Sequence, residues 1–182
     1  MGFCRLDVYC NKIRENIEKV RADISPGIKI LVVAKANAYG LGAADVCRIL
    51  QNDVDYFAFA TIEEAVEVRK SGTVAPKILL LSEPLKKDIP LAVEHDISLG
   101  VYNKSFIEYL DDFLKENKDS SIETHFKVDT GLQRLGNADE SVLEYWLHDT
   151  CVRLKKVGLW SHLQNSEHGE VNDRTKGSGS II

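Results

Sequence analysis

An apolar strand leads directly into a lysine and a glycine-containing turn in the segment Val33-Ala34-Lys35-Ala36-Asn37-Ala38-Tyr39-Gly40-Leu41-Gly42. Valines favour a strand, and the small residues and glycines after the lysine predict a tight turn. The segment therefore predicts a strand that ends at a chemically reactive side chain, which is typical of α/β proteins, whose active sites lie at strand ends.

The same pattern of a short β-branched run followed by a helical segment continues along the chain. The runs lack strict alternation of apolar and polar residues, which favours strands buried on both faces of a parallel sheet. Six such runs are present: 28–34, 56–60, 77–81, 97–101, 122–128 and 156–160.

Helical signals lie between these runs. The sequence Thr61-Ile62-Glu63-Glu64 is a capping box, in which a threonine and a glutamate three residues later satisfy the first amides of a helix. Further helices are predicted after Asn11 and from two apolar stripes at helical spacing. The stripes comprise Phe106, Ile107, Leu110, Phe113 and Leu114, and then Val142, Leu143, Trp146 and Leu147.

Alternating strands and helices predict an α/β fold, either an open doubly wound sheet or a (β/α)8 barrel. About six strand–helix units are visible, whereas a closed barrel has eight and typically about 250 residues. The sequence shows no second domain boundary. Residues 171–182 end in Gly177-Ser178-Gly179-Ser180-Ile181-Ile182, and this Gly/Ser segment predicts a flexible tail.

Composition narrows the possible functions. The chain has 182 residues, with 23 Lys and Arg against 28 Asp and Glu, for a net charge of −5. This mild acidity argues against a nucleic-acid partner, and no apolar run reaches the roughly 18 residues of a membrane span. Four irregularly spaced cysteines and no visible secretory signal predict free thiols, no metal site and a cytoplasmic location.

Lys35 is the first candidate for chemistry. An amine between an apolar wall and water has a depressed pKa, which suits a Schiff-base nucleophile or a general base. The structural alternative is a strand-end lysine whose ammonium simply reaches solvent.

A second candidate region is His125-Phe126-Lys127-Val128-Asp129-Thr130-Gly131-Leu132-Gln133-Arg134-Leu135-Gly136. Lys127 and Asp129 are two residues apart and are expected on one face of a strand. Arg134 follows a glycine turn and suits a carboxylate or phenolate partner. A surface ion pair is the simpler interpretation. A third strand, 158–162, ends in His162, and a strand-end histidine by itself is more often structural than catalytic.

Together these segments resemble the alanine racemase family. Lys35-Ala36-Asn37-Ala38-Tyr39-Gly40 is similar to that family's pyridoxal-phosphate lysine signature, and residues 127–136 resemble its second signature. Residues 158–162 resemble its next barrel strand. The resemblance covers most of residues 6–167 and implies an incomplete TIM-type barrel over residues 1–170, without the family's C-terminal β-domain.

The resemblance also implies roles for individual residues. Lys35 would hold pyridoxal phosphate and exchange the α-proton of D-alanine, Tyr39 would bind the cofactor phosphate, and Arg134 would contact the substrate carboxylate and the cofactor's phenolic oxygen. Lys127 would be carbamylated and orient the arginine, with Asp129 supporting it. His162 would support the base on the opposite face.

On this resemblance the chain is an isomerase that interconverts L- and D-alanine, supplies D-alanine for the cell wall and works as a homodimer in its full-length form. Two departures keep other interpretations open. The family's opposite-face tyrosine belongs to the C-terminal domain, and Gln133 stands where the family often has glycine. A pyridoxal-phosphate protein that does not racemise, or an inactive fragment that pairs with another subunit, are the alternatives.

Overall fold

Six β-strands alternate with helices in the computed structural model, which describes residues 5–72 and 76–163. The described chain divides between Leu79 and Leu80 into two compact units. Composition shows no change at this point, so the division was not predicted. The predicted flexible tail, 171–182, lies outside the described residues.

The first unit begins with a helix and contains the chain's first strand–helix repeats. Strands β1 and β2 pair in parallel, with Leu31 opposite Tyr56 and Val33 opposite Ala58. Its elements are α1 (Cys10–Asp23), β1 (Leu31–Val33), a single turn α2 (Lys35–Tyr39), α3 (Ala43–Leu50), β2 (Tyr56–Phe59), α4 (Ile62–Lys70) and β3 (Lys77–Leu80), whose last residue belongs to the second unit.

The core of the first unit forms around β2, because all four of its residues are buried. Helix α4 begins at the predicted capping box, in which Thr61 Oγ1 accepts a hydrogen bond from the Glu64 amide. Helix α1 is different, since none of its residues is buried. Arginines hold it in place: Arg14 donates to the Ile49 carbonyl at 3.0 Å and Arg21 donates to the Ile28 carbonyl at 2.6 Å.

The second unit continues the alternation with three strands that are neighbours in the order in which they occur in the sequence. Strands β4 and β5 are parallel, as are β5 and β6. The elements are a 3-10 turn (Lys86–Asp88), α5 (Ile89–Glu94), β4 (Ile97–Val101), α6 (Lys104–Glu116), β5 (Ile122–Lys127), α7 (Glu140–Glu144), a π-helical turn (Tyr145–Asp149) and β6 (Leu154–Trp160).

The three strands of the second unit differ in how they are buried. Strand β4 is buried at every residue, as predicted for a strand covered on both faces. Strand β6 alternates, and its Val157 and Leu159 are 41% and 43% exposed. The buried Trp146 packs against strand β5. Its ring lies 5.6 Å from that of Phe126, and its indole N–H donates to Thr124 Oγ1 at 3.0 Å.

All six predicted strands are present, with shifts of one to three residues at several ends. Helix α1 begins at Cys10 with Tyr9 as its N-cap, so Asn11 lies within the helix instead of capping it. Cys10, Cys47 and Cys151 are free thiols, as predicted, and Cys4 lies outside the described residues. Among the described helices none is long and apolar enough to cross a membrane.

Candidate active site

Lys35 lies at the carboxyl end of the first parallel strand. Pairing with β2 continues one residue beyond β1, since the Ala34 amide donates to the Ala58 carbonyl at 2.9 Å. Ala34 is 1% exposed and Lys35 is half-buried. Lys35 therefore comes directly after the last paired residue of the first strand, at the end of the sheet where α/β proteins place their reactive groups.

The turn that follows Lys35 is left-handed. Ala36, Asn37, Ala38 and Tyr39 have φ between 52° and 55°, a conformation that costs L-residues roughly 1–2 kcal/mol each. Single residues of this kind are common, whereas four consecutive non-glycine residues require support from the surroundings. Gly40 then continues with φ 90°, a value that glycine adopts without a steric penalty.

Hydrogen bonds to neighbouring segments support this left-handed turn. The Ala38 amide donates to the Ala34 carbonyl at 2.9 Å. The Asn37 side-chain oxygen accepts from the Ala43 amide at 2.7 Å, which joins the turn to the start of α3. The Glu64 carboxylate accepts from the Ala36 amide at 2.6 Å and so reaches the turn from helix α4.

Tyr39 is the last residue of the left-handed turn. It is 66% exposed, and its hydroxyl makes no hydrogen bond to any residue in the described part of the chain. The phenol is therefore available to a ligand at the same turn as Lys35.

In the second unit, Lys127 ends strand β5 and is only 2% exposed. Its ammonium nitrogen lies 4.3 Å from the centre of the Trp160 ring, on the neighbouring strand. This burial excludes the surface interpretation of Lys127. Asp129 lies beyond the end of β5, so the prediction that the two residues share a strand was wrong: the pairing with β6 ends at Val128, whose amide donates to the Trp160 carbonyl at 2.9 Å.

Asp129 instead organises the loop that carries Arg134. Its Oδ1 accepts hydrogen bonds from the Gly131 amide at 2.9 Å and from the Gln133 amide at 3.1 Å. Gln133 has φ 55°, the same left-handed conformation that glycine would adopt at this position. Arg134 is exposed, and no described residue makes a hydrogen bond or ion pair with its side chain.

Asn137 closes this loop at its base. Its amide donates to the Lys127 carbonyl at 3.0 Å, and its carbonyl accepts from the Asp129 amide at 3.1 Å. Its side-chain nitrogen donates to the Tyr102 carbonyl at 2.8 Å, which connects the loop to the end of β4. Both ends of the Arg134 loop are thus fixed by one asparagine.

Glu83 fixes the neighbouring turn after β4. Its Oε1 accepts from the amides of Tyr102 and Asn103, both at 2.7 Å. Burial raises the pKa of Glu83 above its usual value, and these hydrogen bonds oppose that rise. Burial and the nearby charge of Glu83 raise the pKa of Tyr102.

His162 follows the end of β6 and is exposed. The residue before it, Ser161, donates to the Val128 carbonyl at 2.9 Å, and its hydroxyl lies 2.7 Å from that of Thr130. These contacts join the segment that carries His162 to the loop that carries Arg134. Within the second unit, Lys127, Asp129, Arg134 and His162 therefore all lie at the carboxyl ends of two adjacent strands.

The profile of the family described as "Alanine racemase, N-terminal domain" matches residues 8–178, almost the whole chain. The chain belongs to this alanine racemase N-terminal domain family. The predicted resemblance is confirmed, and with it the α/β barrel-type fold, whose strand–helix alternation is present in both units.

Curated members of the alanine racemase family extend the match. "Alanine racemase 2" of Caldanaerobacter subterraneus is 32% identical over 167 residues, which cover 90% of this chain and 42% of the relative. An alanine racemase of Streptococcus pneumoniae is 34% identical over 165 residues, which cover 88% of this chain and 43% of the relative. The chain thus spans less than half the length of these relatives.

A solved alanine racemase from Clostridium difficile 630, in complex with cycloserine, has the same fold. Its TM-score is 0.86 at 24% identity, over 94% of this chain and 47% of that one. At this identity the likeness establishes the fold.

In each unit of this alanine racemase domain, the structure adds residues that the sequence motifs did not single out. Glu64 was recognised as part of a helix cap, and nothing in the sequence linked it to the Lys35 turn. The sequence did not indicate roles for Asn137 and Trp160, because each contacts a partner residue on another strand or loop. An expected glycine at Gln133 was the one sign that the Arg134 loop contains a left-handed residue.

Proposed function

We propose that the chain supplies the cofactor lysine and the substrate arginine of a pyridoxal-phosphate racemase that interconverts L- and D-alanine. The observation that carries this proposal is the position of Lys35. It follows a paired strand end and precedes a left-handed turn that ends in an exposed tyrosine.

The side chains present fit pyridoxal phosphate. Lys35 provides a primary amine, which can bind an aldehyde covalently. Tyr39 provides a hydroxyl that no described residue occupies, and it would donate a hydrogen bond to the phosphate. The cofactor, when bound, supplies an electron sink for the carbanion formed at the substrate Cα.

In the proposed reaction, Lys35 removes or returns the α-proton on one face of the substrate, as a general base or acid. The Arg134 guanidinium would bind the substrate carboxylate, for which its planar fork is suited. The Asp129 and Asn137 hydrogen bonds would fix that loop, Lys127 would orient Arg134, and His162 would support the base on the opposite face. Homodimer formation and a cytoplasmic location stay predictions.

Covalent labelling tests the proposal. The chain is incubated with pyridoxal phosphate, reduced with borohydride and digested, and the pyridoxyl group is located by peptide mapping. We expect the label on Lys35, and its loss in Lys35→Arg. Lys70→Arg, which changes an exposed lysine in α4, is the control and should keep the Lys35 label.

Tyr39→Phe provides a second arm. Because a hydrogen bond to a charged group contributes about 1.5–3 kcal/mol, this variant should need at least about tenfold more cofactor for half-maximal labelling. Its thermal stability should match that of the unsubstituted chain, since the hydroxyl has no partner among the described residues. A label spread over surface lysines would contradict the proposal.

A further inference from the structure

The Glu64 carboxylate holds three backbone amides. Its Oε1 accepts from the Ala36 amide at 2.6 Å. Its Oε2 accepts from the Ala60 amide at 3.1 Å and from the Thr61 amide at 3.3 Å. One side chain therefore joins the turn after β1 to the turn after β2, within the first unit.

The contact with Ala36 has a particular position. The Ala36 amide belongs to the peptide bond that follows Lys35, and Ala36 is the first residue of the left-handed turn. A charge-assisted hydrogen bond at this amide is stronger than one between neutral groups. It thus offsets backbone strain at the point where the strain begins, one bond away from the proposed cofactor lysine.

We propose that Glu64 is a positioning residue for Lys35: by holding the Ala36 amide, it keeps the left-handed turn in place and so fixes where the Lys35 amine can meet an aldehyde cofactor. The role of Lys35 in this inference rests on the proposed function. The effect of Glu64 on the turn does not.

The chemistry favours a carboxylate over its amide analogue at this position. Both Glu64 oxygens face N–H donors, so both must be acceptors. A glutamine has only one acceptor oxygen and would direct its NH2 group at one set of amides. Because two of the three amides, those of Ala60 and Thr61, lie on one side, the single acceptor of Glu64→Gln is expected to turn to them and to lose the contact with Ala36, with almost no change in size.

Two control variants separate this role from the capping of helix α4. Thr61→Ala removes the side-chain acceptor for the Glu64 amide but leaves the Glu64 carboxylate in place. Glu67→Gln makes the same chemical change on the same helix at an exposed residue. Neither substitution touches the contact between Glu64 and Ala36.

The first measurement needs no cofactor. Amide hydrogen exchange is followed for residues 36–40 in the full 182-residue chain. We expect exchange at Ala36 and in the following residues to be at least about tenfold faster in Glu64→Gln, and unchanged in Thr61→Ala and Glu67→Gln. Equal exchange rates in Glu64→Gln and the unsubstituted chain would overturn the inference.

The second measurement is the pyridoxal-phosphate concentration that gives half-maximal labelling of Lys35. It should rise about tenfold in Glu64→Gln and stay constant in both controls. An equal rise in Thr61→Ala would show that helix capping alone is responsible and would overturn the inference. Should the unsubstituted chain take no label on Lys35, the proposed function fails, while the exchange measurement still decides the role of Glu64.

Glu64→Asp covers the case in which Glu64→Gln does not fold. The shorter carboxylate keeps the charge and the cap contacts near Thr61 but reaches one methylene less far toward Ala36. We expect Glu64→Asp to retain its unfolding midpoint while exchange at Ala36 speeds up. Full protection of Ala36 in that folded variant would count against the proposal.

Discussion

The ammonium of Lys127 lies over the face of Trp160, 4.3 Å from the ring centre, and the lysine is 2% exposed. The negative face of an indole attracts a cation by about 0.5–2 kcal/mol. A carbamate on Lys127 would bring a negative charge to the same ring face, so its formation must move the lysine away from Trp160.

This relationship makes the carbamylation of Lys127 testable by two signals. In bicarbonate buffer we predict that the chain gains the mass of one CO2 at Lys127, and that its tryptophan fluorescence changes as the cation leaves the Trp160 ring. Lys127→Arg keeps the charge but cannot form a carbamate, and it should show neither change. An unmodified Lys127 in bicarbonate would contradict the carbamate's proposed role in orienting Arg134.

The two glycines of the Arg134 loop provide a matched pair of substitutions. Gly131 has φ 111° and open space around its missing Cβ, whereas a Cβ at Gly136 (φ 122°) would lie 2.9 Å from the Asp129 backbone nitrogen. Gly131→Ala should lower the free energy of unfolding by about 1 kcal/mol through backbone strain alone. Gly136→Ala should lower it by about 1–3 kcal/mol more, because the Asp129 backbone must move.

Denaturant unfolding of the two glycine variants measures this difference. Hydrogen exchange at the Asp129 amide should be faster in Gly136→Ala than in Gly131→Ala, since that amide pairs with the Asn137 carbonyl beside the added methyl group. Equal stability of the two variants would show that the loop can shift without loss of its hydrogen bonds.

The sequence was sufficient to predict six strands because buried parallel strands appear as continuous apolar runs. Strand β4, buried at every residue, is the simplest example. Strand β6 begins two residues earlier than predicted, at the buried Leu154, because the exposed Lys155 separates Leu154 from the predicted start at Lys156. Burial alternates along β6, so a search for continuous apolar runs misses its first residues.

The sequence predicted a candidate-site residue only where the side-chain type and the neighbouring residues suggest a chemical role. Lys35, Tyr39 and Arg134 stand out by type and context. The contact of Glu64 with Ala36 spans 28 residues and depends on a left-handed backbone that no local propensity favours. Trp160 approaches Lys127 through strand register. Such partners depend on tertiary geometry, which a single sequence does not encode as a pattern.

Asp111 provides a pH-dependent prediction away from the candidate site. It is fully buried on α6, where it accepts from the Cys151 amide at 2.6 Å and pairs with Lys115. Burial alone would raise the pKa of Asp111, but the contacts with Lys115 and Cys151 outweigh it, and the pKa lies below its usual value. The ionised carboxylate therefore stabilises the fold above its unfolded pKa of about 3.9, and this contribution is lost as pH falls through the lower folded pKa.

Asp111→Asn should accordingly lower the free energy of unfolding by about 1–3 kcal/mol near neutral pH. The difference from the unsubstituted chain should shrink as pH falls below the unfolded pKa of Asp111. Asp112→Asn changes the neighbouring carboxylate, which is 73% exposed, and should have little effect at any pH. Urea unfolding over a pH series measures both variants, and a pH-independent effect of Asp111→Asn would contradict the argument.

The last prediction concerns what the 182-residue chain does by itself with each enantiomer of alanine. Racemisation needs a proton acceptor on one face of the substrate Cα and a donor on the other, and each such group contributes roughly 10²–10⁴-fold. Lys35 can serve one face, and in the family the other is served by a tyrosine of the C-terminal β-domain. Incubation with pyridoxal phosphate in D2O should therefore introduce deuterium into D-alanine slowly and yield little L-alanine. Exchange is measured by mass spectrometry and inversion by chiral chromatography, with Lys35→Arg as the control that should lose both. Fast inversion in both directions would show that a residue within this chain serves the second face.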